Sequence, residues 1–232
     1  MTRPSVHTSA LLLSFGVTAA ASAQTIFNAG PDNGFFTPFS SATSSNVRYG
    51  DSGWLTNGDS APIGLRDITL GLAVFSGANG AAPGQTDLTF TFNDGDPSGL
   101  VFGPGSTLYT VTIQNIALPA SDGITPGFLY LTIPLPGVVT SGNFNNVGWS
   151  VGVQNFNYEG SFGFQVSSTL AQSVGFYTNN ASFYNGTSWS LFAFSGDPTF
   201  GVANFVAEIT VPSPAAGLAL FGLAGVVARR RR

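Results

Sequence analysis

Two acids and two amide or hydroxyl oxygens are packed into the seven residues Asn93-Asp94-Gly95-Asp96-Pro97-Ser98-Gly99. Calcium takes about six to eight oxygen ligands, and a loop of this composition can wrap it, with Asp94 and Asp96 as charged ligands and Asn93 or a backbone carbonyl assisting. The EF-hand spacing is not met, because no Glu closes the loop and Pro97 interrupts it. The competing expectation is a turn in which the same side chains hydrogen-bond neighbouring backbone. Calcium is the one cofactor the sequence suggests.

A second chemistry needs paired carboxylates. A glycosidase sets two across a cleft at roughly 5 to 9.5 Å, and Glu159 and Glu208 are the only glutamates here. Glu159, between Tyr158 and Gly160, reads more simply as a solvated hairpin residue. Most aspartates adjoin Gly, Pro or Asn, where a carboxylate ordinarily holds a turn.

Flat rings offer a third chemistry, since sugars stack on Trp and Tyr. Trp149 is in phase with Val147 and Val151 and is expected in the core. Trp54, within Asp51-Ser52-Gly53-Trp54, and Trp189, after Tyr184-Asn185-Gly186, are expected nearer loops, as weak sugar-stacking candidates set against ordinary packing.

Other chemistries are excluded by residue type. Cysteine is absent, every basic residue is Arg, and the one His is His7, in a segment expected to be removed. Serine–histidine catalysis, histidine-bound zinc and lysine Schiff bases therefore have no residues to use in the mature domain, and no catalytic residue is assigned. Between residues 24 and 210 only Arg48 and Arg66 stand against all 11 acidic residues, a balance of −9. A nucleic-acid partner is not expected for such a surface.

The elements that must position these residues are strands. Ile68, Leu70, Leu72 and Val74 alternate along one face, as do Leu88, Phe90 and Phe92; Tyr109, Val111 and Ile113; Leu129, Leu131 and Ile133; and Val147, Trp149, Val151 and Val153. Similar runs cover residues 161–166, 188–194 and 202–210. Turn chemistry separates them at Asp122-Gly123, Asn185-Gly186 and Asp197-Pro198. The expected fold is all-β, an antiparallel sandwich or jelly roll over residues 24–210, with an interface filled by many of the 21 Phe.

Both ends read as targeting segments. Residues 1–23 carry Arg3, an apolar run from Ala10 to Ala21, and Ala21-Ser22-Ala23, so signal peptidase is expected to cut before Gln24. Residues 211–232 open with Val211-Pro212-Ser213-Pro214 and continue through an apolar helix bearing Ala215, Leu218, Leu220, Phe221, Leu223, Val226 and Val227 to Arg229, Arg230, Arg231 and Arg232. Residues 215–228 would make roughly 21 Å of helix, short of a hydrocarbon core about 30 Å thick. The arginines snorkel and remain cytoplasmic, placing the preceding domain outside.

This order of proline motif, apolar helix and terminal Arg cluster resembles the PEP-CTERM sorting signal. The resemblance implies a bacterial exported protein whose tail is recognised by an exosortase-type enzyme, with transient inner-membrane anchoring followed by transfer to the cell surface or extracellular matrix. The usual Pro-Glu-Pro is Pro212-Ser213-Pro214 here, which departs at the central acid. In that setting Asn180-Ala181-Ser182 and Asn185-Gly186-Thr187 read as turns rather than glycan acceptors. The domain itself resembles, more loosely, choice-of-anchor-type β-rich ectodomains, in Gly148-Trp149-Ser150-Val151-Gly152-Val153 and Ser188-Trp189-Ser190-Leu191-Phe192. The expected function is structural or adhesive and non-enzymatic, ahead of a carbohydrate-binding module with exopolysaccharide as partner, and of a carboxylate glycosidase third.

Overall fold

The alternating runs form strands that pair into two antiparallel sheets, as seen in a computed structural model. The structure describes residues 23–28, 32–39, 47–55, 61–76, 79–101, 105–142, 146–167, 174–177, 180–192 and 203–212. The expected signal segment up to Ser22, Ala21 included, lies outside the described residues, as do Asp197-Pro198 and the tail from Ser213 through Pro214, the expected apolar helix and the four arginines.

Thirteen strands follow in chain order: β1 (Gln24–Asn28), β2 (Asp32–Pro38), β3 (Arg48–Trp54), β4 (Asp67–Phe75), β5 (Gly84–Asp94), β6 (Ser106–Leu118), β7 (Gly127–Pro134), β8 (Asn146–Asn157), β9 (Ser161–Ser167), β10 (Phe176–Tyr177), β11 (Ala181–Tyr184), β12 (Trp189–Phe192) and β13 (Ala207–Val211). One sheet has the order β1-β13-β4-β9-β2, with β7 also on β4; the other runs β12-β11-β3-β8-β5-β6, with β10 on β3. No described residue is helical.

β4 holds the first sheet together by using both of its edges. Asp67 to Val74 pair with Pro134 to Gly127 of β7 on one edge. The other edge is divided, Asp67 to Leu70 pairing with β13 and Leu72 to Phe75 with β9. Gly71 stands at the fork and donates its N–H to the Val206 carbonyl at 2.8 Å. A Cβ there would lie 2.7 Å from Val206, so only glycine lets the chain approach this closely.

The inward faces meet in one apolar core. Ile68, Leu70, Leu72 and Val74 of β4 are fully buried, as are Leu88, Phe90 and Phe92 of β5 and Trp149 and Val151 of β8. Each such side chain contributes on the order of 2–3 kcal/mol by leaving water. Rings join the sheets: Phe27 of β1 meets Trp149 at 5.6 Å and Tyr177 at 5.1 Å edge to face, and Phe39 meets Tyr49 at 5.5 Å in a tilted contact. With no cysteine to crosslink it, the core is held by packing and hydrogen bonds.

Two expectations need correction. The Asp51 to Trp54 stretch is not a loop but the end of β3, paired along its length with β8. Its glycines blur the alternating pattern, and they are required because a Cβ at Gly50 or Gly53 would come within 2.6 Å or 2.4 Å of neighbouring backbone oxygens. Trp189 begins β12 directly after the Asn185 turn, within the run expected over 188–194, which is a strand over Trp189–Phe192. The run expected over 202–210 becomes an ordered strand only from Ala207, residues 203–206 bridging β9 through Val166 and Phe205. β13 includes Val211, which pairs with Gln24, so the expected start of the mature domain and the first residue of the proline motif are neighbours in one sheet.

Candidate functional site

The Asn93–Gly99 run lies at the end of β5, where the chain turns back over the outer face of the second sheet. Asp96 is almost fully buried. Its Oδ1 accepts the Ser98 N–H at 2.9 Å, and its Oδ2 accepts the Ser98 hydroxyl at 2.6 Å, the Leu100 N–H at 2.9 Å and the Val101 N–H at 2.8 Å. Asp94 instead accepts the Ser141 N–H with both carboxylate oxygens at 3.1 Å. The two acids expected to converge on calcium thus organise different backbone segments. Asn93 is buried with an Oδ1 that has no hydrogen-bond partner among the described residues. Pro97 seats the loop on the sheet, where Cβ atoms at Gly50 and Gly148 would lie 3.0 Å and 2.5 Å from its ring.

Beneath this loop, Asp51 points from β3 into the inter-sheet core. It accepts the Ser52 N–H at 2.8 Å through Oδ1 and the Phe205 N–H at 2.8 Å through Oδ2. Desolvation raises its pKa well above the usual carboxylate range; the two backbone donors oppose the rise and the nearby Asp96 charge adds to it. Tyr177 donates its hydroxyl to the Phe205 carbonyl, so both backbone groups of Phe205 are held by side chains of the opposite sheet. Burial, and secondarily Asp51, raise the Tyr177 pKa well above the phenol value.

Most of the remaining described carboxylates are also structural. Asp87 accepts from Asn115 N at 2.8 Å and Asn155 Nδ2 at 2.6 Å, which lower its pKa. Asp122 accepts the Ile124 N–H at 2.8 Å and the Thr125 N–H at 3.0 Å, the latter being the main cause of its lowered pKa. Asp67 accepts the Thr210 hydroxyl at 2.5 Å and pairs with Arg66 at 3.3 Å. Glu208 accepts the Thr25 hydroxyl at 2.5 Å in the β1–β13 pair, whereas Glu159 is exposed between β8 and β9. The two glutamates occupy separate elements and share no hydrogen bond. The turn at Asn185 is built as expected, its Oδ1 accepting the Thr187 and Ser188 N–H groups at 2.9 Å, with Gly186 at φ 97°.

The aromatics divide. Trp149 is fully buried, as its phase requires. Trp54 and Trp189 are both half-buried, Trp54 pairing with Phe176 of β10 and Trp189 with Tyr184 of β11. Tyr184 and Trp189 lie 5.2 Å apart at an interplanar angle of 42°. The Asn185-Gly186 turn makes Tyr184 the cross-strand neighbour of Trp189.

No protein family matches the chain, and no curated protein does. Solved structures offer slight likenesses. One is the 2.6 Å structure of infectious bursal virus derived T=1 particles, at 12% identity and a TM-score of 0.27, covering 90% of this chain and 46% of that one. Another is infectious bursal disease virus Gt strain, at 13% identity and a TM-score of 0.26, covering 90% and 48%. This chain spans about half the length of those subunits, and the likeness does not bear on what it binds or does.

Proposed function

We propose that this is an exported structural or adhesive protein of the bacterial surface or matrix, anchored briefly at the inner membrane and then released by an exosortase-type enzyme. The observation that supports a structural role is the use made of the acids. Asp51, Asp67, Asp87, Asp94, Asp96, Asp122 and Glu208 each tie backbone or hydroxyl groups of the fold. Carboxylates spent in this way are scaffold, and Glu159 alone among the described glutamates faces water without such a tie. The Gln24–Val211 pairing puts the two expected processing points at the same end of one strand pair.

The test is intact mass and location in the native host, with and without the chain from Pro212 onward. The expected product begins at Gln24, ends near Pro212 and lies outside the cell. A membrane species that keeps Arg229 to Arg232 would refute sorting.

A further inference from the structure

One cross-strand row runs over the outer face of the second sheet through all six strands of its main path. Trp189 pairs with Tyr184, Tyr184 with Arg48, Arg48 with Gly152, Gly152 with Thr89 and Thr89 with Thr112. Residues directly opposite in register share a face. The neighbours in sequence confirm which face: Phe183 and Tyr49 pack ring to ring at 4.9 Å on the inner side, and Leu88 and Val151 are buried in the core. At about 4.8 Å per strand the row is roughly 24 Å long.

Its chemistry changes along its length. Tyr184 and Trp189 form a half-exposed ring pair at one end. The Thr89 and Thr112 hydroxyls hydrogen-bond at 3.0 Å near the other. Arg48 lies between, its side chain resting across Gly152, where a Cβ would be 3.4 Å from Cγ and 3.9 Å from Nε. Arg66, the other basic residue of the domain, is paired with Asp67. Arg48 has no ion pair among the described residues. The Pro97 loop walls the row on one side, covering Gly50 and Gly148.

We infer that this row binds a linear polysaccharide bearing carboxylates, with sugar rings stacked on Trp189 and Tyr184 and a uronate held by Arg48. Rings supply sequence-tolerant apolar contact with a polar rim. Guanidinium matches a carboxylate in a bidentate fork, which neither a neutral sugar nor a hydroxyl can exploit. The domain's net negative charge opposes a polyanion at long range, but charges beyond about 8 Å are screened at physiological ionic strength, and selection falls to Arg48. The carboxylate facing the row from the next position, Asp87, is engaged by Asn115 and Asn155. This assignment names a ligand for the surface role proposed above and rests on it. Binding by purified chain is measured whatever the route of export, so the two readings fail separately.

The experiment is titration of the full-length chain, purified in detergent, with polygalacturonate and with its methyl ester, followed by tryptophan fluorescence. Polygalacturonate should bind roughly tenfold or more tightly than the ester, which keeps the rings and removes the charge. Arg48→Gln should abolish that preference, Trp189→Ala should weaken both ligands, and Tyr130→Ala, on the outer face of the other sheet, should change neither. Equal affinity of the wild-type chain for polymer and ester, or no binding to either, would overturn the inference without recourse to a variant.

Discussion

The carboxylate of Asp51 in β3 accepts the backbone N–H of Phe205 at 2.8 Å across the inter-sheet core, joining residues 154 apart in sequence. Phe205 is also stacked on Phe164 at 4.4 Å and 16° and touches Phe192 at 6.2 Å, so the polar tie is enclosed by rings. A buried acid in such a place sets how stability depends on pH.

The folded pKa of Asp51 is raised, so the folded state holds its proton more tightly than the unfolded chain. Ionising it in the folded state therefore costs stability, and that cost is relieved as pH falls through the folded value toward the unfolded one near 4. Asp87 and Asp122 have lowered values and act oppositely, their contribution being lost as pH falls below about 4. Thermal melts should show stability rising as pH falls toward about 4, with Asp51→Asn losing that gain. A wild-type melting temperature that falls steadily from pH 7 downward would contradict this assignment.

Tyr177→Phe removes the hydroxyl that satisfies the Phe205 carbonyl while keeping the ring against Phe27. The expected loss is about 1–3 kcal/mol, the cost of a buried acceptor left unpaired. Because the phenol is held neutral by burial, the wild-type fold should also lose stability as pH rises beyond about 10, and the variant should lose less over that range. Urea denaturation at pH 7 and at higher pH measures both.

Asp96→Asn keeps the shape of the loop anchor but removes the charge that gathers the Leu100 and Val101 N–H groups. A loss of about 1–3 kcal/mol is expected in urea denaturation. Since both oxygens of Asp96 are engaged by the loop itself, about 1 mM calcium should leave the wild-type melting temperature unchanged. A rise with calcium that Asp96→Asn abolishes would show that the loop reorganises around the ion.

Strand β7 pairs only with β4 among the described residues and carries no charge from Gly127 to Pro134. Phe128 and Tyr130 stand exposed on its outer side. Open, uncharged apolar edges recruit further strands, and a lysine on them is the usual deterrent. Tyr130→Lys should reduce concentration-dependent association in light scattering; identical curves for both chains would place the contact elsewhere.

The alternating runs of β4, β5 and β8 were legible because the two-residue period is a local property of a pleated strand: Leu70, Phe90 and Trp149 declare their faces without knowledge of their partners. The Asn185 turn and the burial of Trp149 followed from the same kind of local evidence. β3 was not legible, because Gly50 and Gly53 answer to backbone and rings that arrive from other strands. Nor were the duties of Asp94 and Asp96, whose closeness in sequence suggests one site although Asp94 reaches Ser141, 47 residues on. Local chemistry thus decided which residues form strands and which side-chain types the domain has, with two basic residues and no cysteine between residues 24 and 210. Only the pairing of distant strands brought Arg48 beside Tyr184 and Asp51 beneath Phe205, because register is set by how whole faces pack together and not by any short stretch of chain.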